Sequence, residues 1–154
     1  MATPPPDAKP RYSGPLTLTT SQSGLKINRA SQPGAFHRDG PRADSEYRDL
    51  GLADATGGRI GIKHIRALGP FPKPTGWHWH DMQAHFVYVL RGSISFEFEG
   101  VEGPVTLHAG DSISQPAGVP HNVVARSHDC EVLELNLPSD YGTFDLDTSS
   151  SGRP

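Results

Sequence analysis

Short runs in which apolar and polar residues alternate, separated by glycine and proline, recur through most of the chain, and period-two alternation predicts strands. The clearest run is Ser93-Ile94-Ser95-Phe96-Glu97-Phe98-Glu99, which puts Ile94, Phe96 and Phe98 on one face and the two glutamates on the other. Just before Gly92, Phe86-Val87-Tyr88-Val89-Leu90 is apolar throughout and reads as a buried strand closing on a glycine turn. Further strands are expected over 105–108, 112–115, 121–125 and 130–137. Upstream, 47–52 and 59–68 read as two strands joined by a hairpin turn at Thr56-Gly57-Gly58, with Ile60, Ile62 and His64 sharing a face of the second. The proline-rich stretch 70–76 reads as a loop, since proline cannot donate to a ladder. Turn signals at intervals of roughly 8–12 residues, with no amphipathic helix between them, argue an all-β barrel or sandwich.

The pattern fades at both ends. Residues 1–44 are rich in Pro, Ser, Gly and charge, with only Leu16-Thr17-Leu18-Thr19 suggesting a strand, so an arm without its own core is expected ahead of one barrel domain over 45–138. In the tail, 139–154, Tyr141, Phe144 and Leu146 offer apolar groups that dock, before a Ser-rich end expected to be disordered. At 154 residues there is room for a single core. The formal charge of -3 gives no field to gather polyanions, which excludes nucleic acid as an expected partner. No apolar run reaches the roughly 18 residues a membrane span needs. The lone Cys130 cannot pair within the chain, and Pro4-Pro5-Pro6 is unlike a signal segment, so a cytoplasmic protein is expected.

The chemistry gathers in 76–92, which reads G-W-H-W-H-D-M-Q-A-H-F-V-Y-V-L-R-G. On a strand His78 and His80 point the same way, roughly 6–7 Å apart, which lets two imidazoles approach one ion. His85 follows a bend at 81–84. A fourth histidine, His121, ends the ordered stretch G-D-S-I-S-Q-P-A-G-V-P-H at 110–121. Together these stretches resemble the cupin superfamily, whose motifs run G-x5-H-x-H-x3or4-E-x6-G and G-x5-P-x-G-x2-H-x3-N. The match holds at His78, His80, Gly92, Gly110, Pro116, Gly118 and His121, over roughly 59–137. It departs at two places, with His85 where glutamate is usual and Ala125 where asparagine is usual.

The resemblance implies a single-domain cupin β-barrel, a double-stranded β-helix of jelly-roll type, with His78, His80, His85 and His121 as metal ligands. Imidazole suits transition metals, whereas Mg and Ca prefer oxygen. The ion expected is Fe(II), with Zn, Ni, Mn and Cu as the other options. Neutral ligands leave the full charge on the ion, which favours a small-molecule substrate bringing an enolate or carboxylate. Cupins with all-histidine centres include diketone-cleaving dioxygenases, so a mononuclear Fe(II) dioxygenase acting on a β-diketone or other enolisable compound is the first expectation. A metal-dependent polyketide-type cyclase or isomerase is the second, and a non-catalytic small-molecule binding cupin the third.

Several other residues are assigned lesser roles. His64 is expected to be structural, and His37, His108 and His128 solvated or packed. Trp77 and Trp79 alternate with the histidines and so face away from them as packing or interface anchors. Asp81 or Gln83 can orient an imidazole. Ala125 shares strand parity with His121 and is expected on the inner face. The apolar 86–90 strand, the tryptophans and the long arm together predict a homodimer.

Overall fold

The structure, a computed structural model, describes residues 26–146. Ten strands run through them, β1 (Ser45–Asp49), β2 (Gly61–Ala67), β3 (His78–His80), β4 (Ala84–Arg91), β5 (Ser93–Phe98), β6 (Val105–His108), β7 (Ser112–Pro116), β8 (His121–Arg126), β9 (Glu131–Leu137) and β10 (Thr143–Asp145), with one short helix, α1 (Leu52–Thr56). They form two five-stranded antiparallel sheets, ordered β1-β2-β9-β4-β7 and β10-β3-β8-β5-β6. This is the all-β architecture expected from the alternation, in the jelly-roll form that the cupin resemblance implies. The suggested strand at 16–19 and the Ser-rich end lie outside the described residues.

Inward positions from both sheets meet in one core. Val87, Val89 and Val132 come from the first sheet, and Ile94, Phe96, Phe98 and Leu107 from the second. At roughly 1.5–3 kcal/mol for each large apolar side chain removed from water, this interleaved set is what holds the sheets together. β4 is less uniform than its sequence suggests, because a strand with only one face toward the core buries alternate residues whatever their hydropathy. Val87 and Val89 are buried, while Tyr88 is 37% and Leu90 40% exposed. Gly92 turns the chain from β4 into β5 with φ +68, and a Cβ there would collide with Ser127 Oγ. Glycine is required on both counts.

Two expectations are corrected. The connection between β1 and β2 is longer than a hairpin turn and contains α1, a single helical turn bounded by Gly51 and Gly57, both left-handed. The two strands still pair, with Asp49 opposite Lys63. The second correction concerns Ala125. On β5, Ser95 and Phe96 are adjacent, yet their partners on β8 are Ala125 and Val123, so Val124 is an extra residue with nothing opposite. Such a bulge reverses the parity of everything beyond it. Ala125 is therefore exposed, and Arg126 turns inward to line the cavity between the sheets.

The tail contributes to the fold. β10 pairs with β3, setting Thr143 opposite His80 and Phe144 opposite Trp79. The rings of Trp79 and Phe144 stack with centroids 4.5 Å apart, so Trp79 is packed by its own chain. His64, on the outer face of β2, bonds Glu131 at 2.8 Å and meets the edge of Phe36, a structural role. His37, His108 and His128 are exposed.

Candidate metal centre

β3 delivers His78 and His80 two residues apart on one face, and β8 brings His121 directly opposite His78. Their ring centroids are 4.4–5.1 Å apart, and one donor nitrogen from each lies within 4.8 Å of the other two. Each Nδ1 is already engaged. His78 Nδ1–H donates to the Gly76 carbonyl at 2.8 Å and His121 Nδ1–H to the Val119 carbonyl at 3.0 Å, while His80 Nδ1 shares a hydrogen bond of 2.9 Å with the Thr143 hydroxyl. The carbonyls leave Nε2 of His78 and His121 as the free lone pair, and the hydroxyl fixes the ring of His80, the kind of support that orients imidazoles in metal sites.

Charge supports the same reading. Burial pushes His121 down to about 4 and His80 down to about 3, with neighbouring imidazoles adding to the effect, and burial lowers His78 as well. All three are neutral at pH 7, as ligands must be. Three converging neutral imidazoles with oriented tautomers fit a divalent transition metal by donor chemistry.

His85 stands across the cavity on β4, its ring 5.5 Å from that of His80 and 5.9 Å from that of His121. Its Nε2 bonds a carboxylate oxygen of Glu134 on β9 at 2.8 Å. Burial alone would raise the Glu134 carboxyl, but the hydrogen bond and charge of His85, reinforced by Lys63, outweigh it and hold the group well below the usual carboxylate range. His85 thus faces a carboxylate where the other three face neutral acceptors. Asp81 accepts from the Gly142 amide, fixing the entry to β10 and so the position of Thr143.

Glu134 and Thr143 were missed in the sequence. A signal existed for Glu134, which shares strand parity with Val132 and Asn136 in an otherwise apolar run, so that a charge had to sit on the inner face. Thr143 gave none, since its role depends on a tail strand pairing with β3. All these groups line one cavity of about 320 Å³ whose middle is walled by Val87, Phe96, Val123 and Val132. Tyr141 closes one side against His80, with centroids 5.3 Å apart.

A jelly roll with converging imidazoles in its cavity defines a metal-binding type of β-barrel. Residues 70–136 match the Cupin domain family model, so the chain carries a cupin domain over that stretch. Solved structures share the fold. The polyketide cyclase RemF from Streptomyces resistomycificus superposes with a TM-score of 0.56 at 22% identity, covering 70% of this chain and 74% of that one. KdgF from Halomonas sp. gives 0.53 at 20% identity, covering 67% and 86%. Oxalate decarboxylase from Bacillus subtilis, a protein with Mn(II) centres, gives 0.53 at 20% identity, covering 67% of this chain but 28% of that one. No curated protein sequence matches the chain. Among the described residues no helix is long and apolar enough to cross a membrane.

Proposed function

We propose that this cupin is a metal-dependent enzyme acting on an enolisable small-molecule carbonyl compound by proton transfer, as a cyclase or isomerase does. His78, His80 and His121 hold a divalent transition metal. When bound there, the metal supplies Lewis acidity toward a substrate carbonyl oxygen. The observation that carries the reading is the His85–Glu134 pair, at 2.8 Å, on the wall facing the three histidines.

Proton transfer falls to that pair. With Nε2–H given to the Glu134 carboxylate, His85 Nδ1 is the nitrogen left with a lone pair. As base it takes a proton from the carbon next to the carbonyl, and the electrons of the broken C–H bond move onto the carbonyl oxygen. The imidazolium that forms is stabilised by Glu134, which remains ionised. The apolar cavity wall excludes water and strengthens each of these charges.

The Fe(II) dioxygenase reading is kept as the second one. It is favoured by the donor set itself, which has three imidazoles and no carboxylate in the cluster, so the negative oxygen is left for a substrate enolate to supply. One experiment separates the two. Metal-loaded protein is incubated in deuterated buffer without oxygen, with an aryl alkyl ketone whose uncatalysed exchange is slow, and oxygen uptake is followed separately in air with β-diketones. Deuterium entering the α position without oxygen supports proton transfer; oxygen uptake without exchange supports the dioxygenase; neither, alongside tight binding, leaves a binding module. The partner proposed for the outer face of the first sheet, where Tyr88 and Leu90 are exposed, is a second copy of the chain. Sedimentation showing only a 16.6 kDa species at micromolar concentration contradicts it.

A further inference from the structure

The cavity has a second polar end, and we propose that it is an anion-recognition site, built from Arg126 and Arg42, that takes a carboxylate at the far end of the substrate. It is placed by the bulge at Val124. Without that extra residue Arg126 would lie on the outer face with Asn122 and Val124; with it, the guanidinium is carried inside, its side chain 7% exposed. A long, always-charged side chain directed into an apolar barrel is costly unless something uses it.

What surrounds it is incomplete as a structural ion pair. Arg126 Nη2 donates to Asp44 Oδ2 at 2.6 Å and to the Asp44 carbonyl at 3.4 Å, and the guanidinium carbon stands 5.6 Å from the centroid of the Phe71 ring. These bonds all use one nitrogen of a group with five donors. Arg42 lines the same cavity, and among the described residues its side chain has no carboxylate partner. Its charge acts on His78, as does that of Asp145, which lines the cavity too. Only Asp44 bonds the Arg126 guanidinium among the described residues, so donors of both arginines stay open to a ligand anion.

The distance between the ends sets the ligand. His121 is opposite Phe98 on β5 and Arg126 is opposite Ile94, four residues along the same strand. At about 3.3 Å per residue the two ends are about 13 Å apart. Between them the wall is Phe96, Val87, Val123 and Val132. The fitting ligand is an elongated, largely apolar or aromatic molecule, with an enolisable carbonyl at the histidine end and a carboxylate at the arginine end. The carbonyl half of that description rests on the proposed function; the carboxylate half does not.

The test uses full-length protein stripped of metal, so that it reads the arginine end alone. Calorimetric titration compares 4′-acetylbiphenyl-4-carboxylate with its carboxamide, which matches it in shape and lacks the charge. The carboxylate is expected to bind about tenfold tighter, as a charge-assisted bidentate contact allows. Arg42→Gln breaks no ion pair among the described residues and is expected to remove most of that preference. Asp44→Asn frees Arg126 and is expected to tighten carboxylate binding, whereas an ion pair with only a structural role gives no gain. Arg42→Gln, Arg126→Gln and Asp44→Asn combined remove all three charges together and are expected to bring the two probes level. Equal affinities in the parent protein, no binding of the carboxylate, or a preference unchanged in Arg42→Gln overturns the proposal. None of these results bears on deuterium exchange at the histidine end, so either proposal can fail while the other stands.

Discussion

The two sheets each present histidine to the cavity, and they hold it differently. On the second sheet, His78 and His121 give their Nδ1–H groups to carbonyls and His80 Nδ1 bonds a hydroxyl; all three are neutral at pH 7 and converge. On the first sheet, His85 is bonded through Nε2 to an ionised carboxylate and stands apart from the cluster. The acceptor sets which nitrogen keeps the lone pair. Carbonyl acceptors at Nδ1 leave Nε2 of His78 and His121 toward one another, while the Glu134 carboxylate at Nε2 leaves Nδ1 of His85, the nitrogen that the proposed proton transfer uses.

The largest effect expected from breaking this contrast is on proton transfer. Glu134→Gln keeps the hydrogen-bonding shape but removes the charge that supports the imidazolium, and a drop of about 100-fold or more in deuterium exchange is expected, with metal affinity unchanged. Exchange at the parent rate in this variant would remove the dyad from the mechanism.

Acid should act on the second sheet first. Because burial lowers the folded pKa values of His80 and His121 below the ordinary 6.5, the unfolded chain binds more protons as pH falls through that value, and the metal-free protein loses stability. Between pH 6.5 and 4.5 the loss should be roughly 1 kcal/mol per pH unit for each strongly shifted imidazole. Glu134 adds to it only below 4.5, because its folded pKa lies under the unfolded value and its stabilising contribution is lost from there downward. Urea unfolding of metal-free protein at several pH values checks the window; flat stability from pH 7 to 5 would contradict it.

A smaller effect sharpens the contrast. Thr143→Val removes the hydroxyl bonded to His80 Nδ1 with little change in volume, and about tenfold weaker metal binding is expected by competitive chelator titration, with the exchange chemistry retained once metal is saturating. Unchanged affinity would mean that the hydroxyl does not set the ring.

How far the sequence reveals this arrangement follows from which facts are local. Alternation in 93–99 places Ile94, Phe96 and Phe98 in the core because strand parity is a property of neighbours. The spacing of His78 and His80 is equally local, and His121 joins them through a motif shared with the cupins. Parity fails at Ala125 because a bulge is decided by pairing with β5, which no window on β8 contains, so Arg126 went unnoticed. The partner of His85 comes from β9, 49 residues on, and that of His80 from β10, 63 residues on. Pairings at such separations are set by the packing of the two sheets.

Three of the four histidines are proposed to hold the metal, with His85 in another role. Metal content measured on protein purified without added metal, for the parent and for single His78→Ala, His80→Ala, His121→Ala and His85→Ala variants, tests it most directly. One equivalent of a divalent transition metal is expected in the parent and in His85→Ala, and little or none in the other three. Full occupancy in His80→Ala, or metal lost from His85→Ala alone, would contradict it.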